Sequence, residues 1–403
     1  MRIWLLEWKK IVSAPVVPLL MLLFIAFNLY LILTMPQDRD ELALLNTLVD
    51  QYGYQIDETM LAQWKADLDE EQLLLEEETG HSLADLELAG EAEKARWFEW
   101  IVQDAYYQAA VELEQGAESI AMDEIAEGEI MKYGLSGTAA ETIRQQYRAL
   151  AEREREAGEA GEQNTLFFYG EVYEMHAALF QTIFRSLLNE SLILIVLMTG
   201  FLLTYEFENR TAFVTYTTKR GRRLQLDKLL VSLGASLLVT TVLIGSTLAA
   251  YFLRFDYSGL WHVPISSQFN SESGMTYLSW WNLSFAEYLL ASIVLVYLCQ
   301  LLFTAFTAVL ALFIRNSYLV FITFAIIFGA AVLLPGIVPT SSNLLFVTMF
   351  TPFTLILNPH IWWTGIGTLT IFSYYEQATI LSWTIIVALA SIFALKRFGK
   401  SNL

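Results

Sequence analysis

The stretch IVSAPVVPLLMLLFIAFNLYLILTMPQ, residues Ile11 to Gln37, contains no Asp, Glu, Lys or Arg. A helix crosses a bilayer with about 20 predominantly apolar residues, and this run exceeds that. It is also longer than the apolar core of a secretory signal, and no small-residue cleavage site follows it. It therefore reads as an uncleaved membrane span, placed at 11–35. Five more runs of the same kind follow: 186–205, interrupted by Glu190, then 229–253, 288–314, 316–334 and 377–395. The predicted fold class is an all-α membrane protein with six transmembrane helices.

Charge supports that reading. The 403 residues are 55% apolar and only 17% charged, with a net charge of -19. Soluble domains are about 45–50% apolar and about 25% charged, so a soluble enzyme is disfavoured. Disorder is excluded by hydrophobicity, and a disulfide scaffold by the single Cys299. Net acidity argues against a nucleic-acid partner. The acids are concentrated: residues 36–185 hold 34 of them against 10 bases, whereas the rest of the chain holds 9 against 14. An acidic insert sits in a mildly basic, apolar frame.

Short loops rich in Lys and Arg remain cytoplasmic. Arg2, Lys9 and Lys10 precede span one. Arg210, Lys219, Arg220, Arg222, Arg223 and Lys228 lie between spans two and three. Arg315 separates spans four and five, and Lys396, Arg397 and Lys400 follow span six. Every second connection is basic. Both termini and the 396–403 tail are thus expected in the cytoplasm, with 36–185, 254–287 and 335–376 outside a cell membrane. The last of these is apolar enough to hide a seventh span. Pro335, Pro339, Pro352 and Pro359 punctuate it, however, and a crossing there would carry the basic tail outward. Short re-entrant or interfacial helices at an outer vestibule are expected, since broken backbone at membrane depth needs protein or a water-filled cavity around it. The plainer alternative is a greasy loop anchored to headgroups by Trp362, Trp363, Tyr374 and Tyr375.

At the N-terminus, residues 1–10 are amphipathic. Ile3, Trp4, Leu6 and Trp8 are expected to face lipid, while Arg2, Glu7, Lys9 and Lys10 reach water, as in a helix lying in the interface. The insert is rich in helix formers and lacks Pro. Gly80, Gly116, Gly134 and the pair Gly158 and Gly161 mark breaks, with Ser82, Ser136 and Thr165 as expected N-caps. Stripes such as Trp64 with Leu68, Trp97 with Trp100 and Ile101, Tyr107 with Val111, and Ile143 with Tyr147 predict a self-contained helical bundle. From Leu166 the helical pattern continues into span two.

Motifs of catalysis are absent or fail in context. Residues 394–401 fit a relaxed phosphate-loop pattern, but a span precedes them where a strand is needed. Asp67, Asp69, Glu71 and Glu78 match calcium-loop positions, yet Gln72 replaces the turn glycine and a helical pattern runs through. His81, His176, His262 and His360 are scattered without metal-ligand spacing. No metal, cofactor or catalytic residue is predicted for this chain. Glu190 is the candidate intramembrane functional charge; its bland alternative is an interfacial carboxylate near Arg185 and Asn189.

The loop after span two, 206–228, reads EFENRTAFVTYTTKRGRRLQLDK. It resembles the first cytoplasmic loop of type-two ABC transporter permeases. There an acidic residue precedes a Gly-Thr pair, an apolar stretch, a turn with Pro and Arg, and a Lys opening the next span. Glu206 or Glu208 matches the acid, Thr211 the Thr, Arg220 the Arg and Lys228 the Lys. Arg210 stands where Gly is usual, and no Pro precedes the basic turn. TPFTLILNP, residues Thr351 to Pro359, is similar to a Pro-led stretch of the same family, and the six-span frame agrees with it. The insert is not covered by the resemblance.

The resemblance implies a permease that exports a peptide, antibiotic, lipid or ion, as in Gram-positive bacteria. ATP and magnesium would be bound by a separate cytoplasmic ABC ATPase subunit, and a second permease, identical or related, would complete the transporter. Glu206, Glu208, Arg210, Thr211, Lys219, Arg220, Arg222, Arg223 and Lys228 would form the ATPase-coupling loop, and lipid would surround the spans. Two competing classes are weighed against it. One is a non-transporting receptor or immunity protein that captures an external ligand with its ectodomain. The other is a secondary transporter, which would want charges near the midplane that spans three to five lack. A topology signal with no coupling role is the simplest alternative for the loop itself.

Overall fold

The computed structural model describes residues 2–35, 39–80, 82–83, 90–115, 121–167, 178–218, 221–272 and 275–400. Lys219, Arg220, His81, His176, the break at Gly116 and most of the passage from Leu166 into span two lie outside them, as does Ser401.

In chain order the helices are α1 (Arg2–Ser13), α2 (Val16–Thr34), α3 (Arg39–Tyr52), α4 (Glu58–Thr79), α5 (Glu91–Glu114), α6 (Met122–Lys132), α7 (Gly137–Glu159) and α8 (Arg185–Glu208). There follow α9 (Ala212–Tyr216), α10 (Leu224–Arg254), α11 (Phe285–Ile314), α12 (Ser317–Leu333), α13 (Leu344–Met349), α14 (Pro352–Leu355) and α15 (Tyr375–Lys400). A wider π-helical turn, Leu179–Phe184, leads into α8. The strand pairing is minimal: Ser271–Glu272 lies antiparallel to Met275–Thr276. Among the described residues six helices are long and apolar enough to cross a membrane: α2, α8 with its π turn, α10, α11, α12 with its last turn, and α15. The chain is a multi-pass membrane protein, and each of the six runs read from the sequence holds one of these helices, although residues 11–13 of the first run end α1 and its span starts only at Val16.

Side-chain caps define several helix starts. Asp57 accepts the Met60 amide at 2.8 Å before α4. Ser284 and Glu287 form a capping box before α11, and Asn316 accepts the Leu319 amide at 2.9 Å before α12. Each such cap contributes about 1 kcal/mol. In the bundle α8 is the central helix. Of its apolar window 78% is buried, against 11% for α2 and for α12 and 17% for α15. Helices α10, α11, α12 and α2 surround it, and the outer faces of α2, α12 and α15 are left to whatever lies beyond the chain.

The stretch from Pro335 to Tyr374 does not cross. Its helix α14 dips between spans four, five and six, where Phe353 packs against Phe303, Phe306, Phe324 and Trp383. Trp362 is buried and donates to the Leu355 carbonyl at 2.9 Å, and the Tyr375 hydroxyl donates to that of Met349 at 2.8 Å. These two rings are core residues, so the headgroup-anchor alternative fails for them; of the other two, Trp363 is half-buried and Tyr374 is exposed.

The insert departs from the expected self-contained bundle. Trp64, Leu68, Trp97 and Trp100 are buried as read, and the Trp100 indole donates to the Leu68 carbonyl at 3.1 Å. Their cluster, however, is continuous with the core of the spans. Helices α6 and α7 form a second core with Leu278, Leu345, Phe346 and Ile371 from the two other segments at that end of the bundle. The apolar stripe of α7 is completed from elsewhere in the chain, which periodicity within the insert does not reveal. Thr165 is not an N-cap. Its segment runs extended beside Gln55, with the Leu166 amide on the Tyr54 carbonyl at 2.8 Å.

Close approach at this contact gives a test. Gly365 donates its amide to the Leu278 carbonyl at 2.8 Å, and a Cβ there would sit 2.3 Å from Leu150 Cδ1. Leu150 is itself buried, so its side chain must repack to admit the methyl group. Gly365→Ala is expected to cost about 1–3 kcal/mol, read as a lower melting temperature of the purified protein. An unchanged melting temperature would show that α7 does not press on this segment.

Candidate functional site

The predicted loop residues divide once the helices are in place. Glu206, in the last turn of α8, is buried, as is Lys228 in the first turns of α10. The Lys228 ammonium donates to Glu206 Oε2 and to the Leu202 carbonyl, the latter at 2.6 Å. The second Glu206 oxygen accepts from Lys10 Nζ of α1 at 2.9 Å, and Lys10 also donates to Glu7 at 2.7 Å. Glu7 Oε2 lies 4.0 Å from Lys228 Nζ. Two carboxylates and two ammonium groups thus close a neutral cluster that ties α1, α8 and α10 together.

Glu7 corrects the amphipathic reading of the N-terminus. It was expected in water, but it is only 4% exposed. A buried carboxylate is tolerable because the two lysines compensate it. Trp4 also turns a polar edge inward, its indole donating to Asp227 Oδ1 at 3.1 Å. Burial would lower the Lys10 ammonium, but its hydrogen bonds to Glu7 and Glu206 outweigh that and hold it above the usual lysine range. The lysine is therefore charged at any physiological pH.

The rest of the loop is built on this base. The Thr211 amide donates to the Glu206 carbonyl at 2.9 Å. The Gln225 amide group donates to the Tyr216 hydroxyl at 2.6 Å and to the Leu203 carbonyl at 3.3 Å. Tyr216 also packs edge-on against Phe398 of α15, with centroids 5.3 Å apart. Short α9 is thereby pinned at both ends, while Phe213 and Val214 between them stand 67% and 74% exposed.

Arg210 has φ +58°, the left-handed conformation that glycine takes most easily and that costs other residues about 1–2 kcal/mol. The position where the resemblance expects Gly thus keeps a glycine-like backbone while carrying an arginine. Its side chain is exposed, as is that of Arg223. Arg222 opens α10 in a tight turn with Gly221 and Arg223. Glu208 leaves the cluster: it accepts the Ser317 amide at 2.5 Å at the start of α12, where a helix N-terminus favours an anion. Arg315 stacks over Phe207 and, more distantly, Phe398.

Glu190 sits apart, deep in the bundle and 5% exposed. Its Oε2 accepts from Asn28 of α2 at 2.7 Å, and Asn28 Nδ2 also lies 3.2 Å from the Thr247 hydroxyl of α10. The partner is a residue of span one, not Arg185 or Asn189; the Asn189 amide instead bonds the Arg185 carbonyl at 2.8 Å. Asn28 is the residue that sequence reading passed over, and Glu7 the one it placed in water. The only signal for Asn28 was its being the one strongly polar side chain within VVPLLMLLFIAFNLYLIL.

The calcium-loop match falls on a helix. Asp67 lies on α4 and accepts from Tyr52 and Gln51, and Asp69 pairs with Lys65. Among the described residues no three His, Cys, Asp or Glu converge as a metal site. Residues 394–400 continue α15 as helix, so they form no phosphate-binding turn. Compared with protein-family models, with curated proteins and with solved structures, the chain matches none of them.

Proposed function

We propose that the chain is the permease subunit of an ATP-driven ABC exporter, with residues 206–228 as the seat of a separate cytoplasmic ATPase. The observation that carries this reading is α9: a short helix held rigidly at its base, offering two exposed apolar side chains between exposed arginines at the basic end of the bundle. An isolated topology signal needs basic charge alone. It has no use for a buried four-charge base or for two adjacent exposed apolar side chains, Phe213 and Val214, on the helix which that base holds. In this reading both termini are cytoplasmic, the acidic insert and the 335–376 segment face outward, and a second permease lies beside the first in the membrane. ATP with magnesium belongs to the partner. Closure of the ATPases would push on α9, and the cluster at Glu206 would pass that push to α1, α8 and α10 together. The exported substrate is left open among peptides, antibiotics, lipids and ions.

The test is co-purification with the ATPase encoded beside or expressed with this chain. Phe213→Asp with Val214→Asp is expected to abolish association, because buried interface anchors each account for about 2 kcal/mol or more. Arg220, Arg222 and Arg223 changed together to alanine should weaken association or uncouple hydrolysis from transport. Changing Lys396 and Arg397 should do neither. Arg210, Lys219 and Lys228 remain to hold orientation in the triple variant, which is checked in the same cells. Correctly oriented variants that still bind and transport would return the loop to a topology signal.

A further inference from the structure

We infer that the groove between α1, α8 and α12 is a binding site for one anionic phospholipid of the leaflet at the basic end of the bundle. The groove has a volume of about 1060 Å³ and is open to the side. It is ordered along the membrane normal as a phospholipid is. At its lip stands Lys9, exposed and without an ion pair among the described residues, with Ser13 one helical turn on also lining the groove. Below, Tyr205, Phe201 and Leu197 of α8 face Tyr318 and Phe321 of α12. Lys10 also lines the groove, but its charge is already taken by Glu7 and Glu206. Lys9 is therefore the uncompensated cation there.

Depth and charge together fit a lipid. From Tyr205 to Leu197 is eight residues of helix, or about 12 Å. One leaflet of hydrocarbon is about 15 Å, half of the about 30 Å core. The groove accommodates the upper chains of one leaflet's lipid. The outer faces of α2 and α12 would also take a crossing helix, but an apolar helix brings no anion to Lys9, whereas an anionic headgroup does. By the basic-loop rule this leaflet is the cytoplasmic one, whose anionic lipids are drawn to basic residues by about 1 kcal/mol each. The inference needs that orientation but neither the ATPase nor transport. A lipid here would wedge α1 against α8 beside the Lys10 and Glu206 contact, so its headgroup would bear on the base of the loop.

The experiment uses the full-length protein in mild detergent, titrated with phosphatidylglycerol or phosphatidylcholine and observed by native mass spectrometry. One phosphatidylglycerol is expected to be retained more firmly than phosphatidylcholine. Lys9→Ala should reduce that preference about fivefold, the equivalent of one such charge contact, and Lys396→Ala should not. Ala14→Trp, which narrows the groove, should release both lipids; if it fails to fold, Lys9→Ala decides alone. Undiminished preference in Lys9→Ala would overturn the proposal. So would cysteines at Val16 and Tyr318 that join two copies across the groove, since another chain would then occupy it.

Discussion

Lys228→Met is expected to destabilise the purified protein by about 3–5 kcal/mol, the cost of removing one partner of a buried ion pair. The lysine is 0% exposed and Glu206 3%, so water does not replace the lost ammonium. Glu206 and Glu7 would then share Lys10 alone, leaving a net negative charge between α1, α8 and α10, with the Leu202 carbonyl also losing its donor. The size of the effect depends on that imbalance rather than on the intrinsic strength of the pair. Adding Glu206→Gln to Lys228→Met should therefore recover much of the loss, because the remaining Glu7 and Lys10 balance. Lys10→Met should cost less, since this side chain is partly exposed and solvent screens it. The measurement is a double-mutant cycle on melting temperature in one detergent. If the single and double variants melt alike, the carboxylate is not buried and the cluster does not bind the three helices. If the cycle closes as expected, a displacement of α9 has a stiff path into the spans.

Why this cluster was only half legible follows from the chemistry of its members. Glu206 and Lys228 stand at the ends of two apolar runs, and a loop motif draws attention to both. Glu7 and Lys10 lie on a short helix whose alternation of Trp, Leu and charge is satisfied by lying at an interface. Nothing in the one-dimensional pattern says that one face of that helix meets α8 and α10 through ions instead of lipid. The spans themselves were legible because twenty apolar residues in a row have few other uses. Two of their starts were placed short: the π turn ahead of α8 carries span two back to Leu179, and α10 begins at Leu224, inside the loop as read. The prolines between 335 and 359 correctly exclude a straight crossing, yet they do not say that Phe353 enters the bundle. The insert shows the opposite difficulty. Its stripes identify buried faces well, but a stripe does not name its partner, and Ile143 with Tyr147 packs in a core completed by Leu345 and Ile371.

Asn28→Leu should lower stability by about 1–3 kcal/mol, because it leaves the Glu190 carboxyl group buried without its donor. The alternative of rearranging to reach water is restricted by packing. Glu190 lies 18 residues before Glu208 on one helix, about 27 Å from the basic end and so near the other face of an about 30 Å core, yet its surroundings leave it 5% exposed. Changing both residues to leucine is expected to restore most of the loss, since removing donor and acceptor together leaves no unsatisfied group. Interhelical hydrogen bonds in membranes contribute only about 0.6–2 kcal/mol, so a structural tie between spans one and two is replaceable by packing. The double variant therefore separates the two roles. If Glu190 serves only to hold α2 against α8, the stable double-leucine protein keeps the transport activity proposed for it. If the carboxyl group handles a proton, an ion or a substrate, the same protein melts normally and loses that activity. The second outcome is the one expected of a charge kept inside a bundle where leucine would suffice to hold the helices.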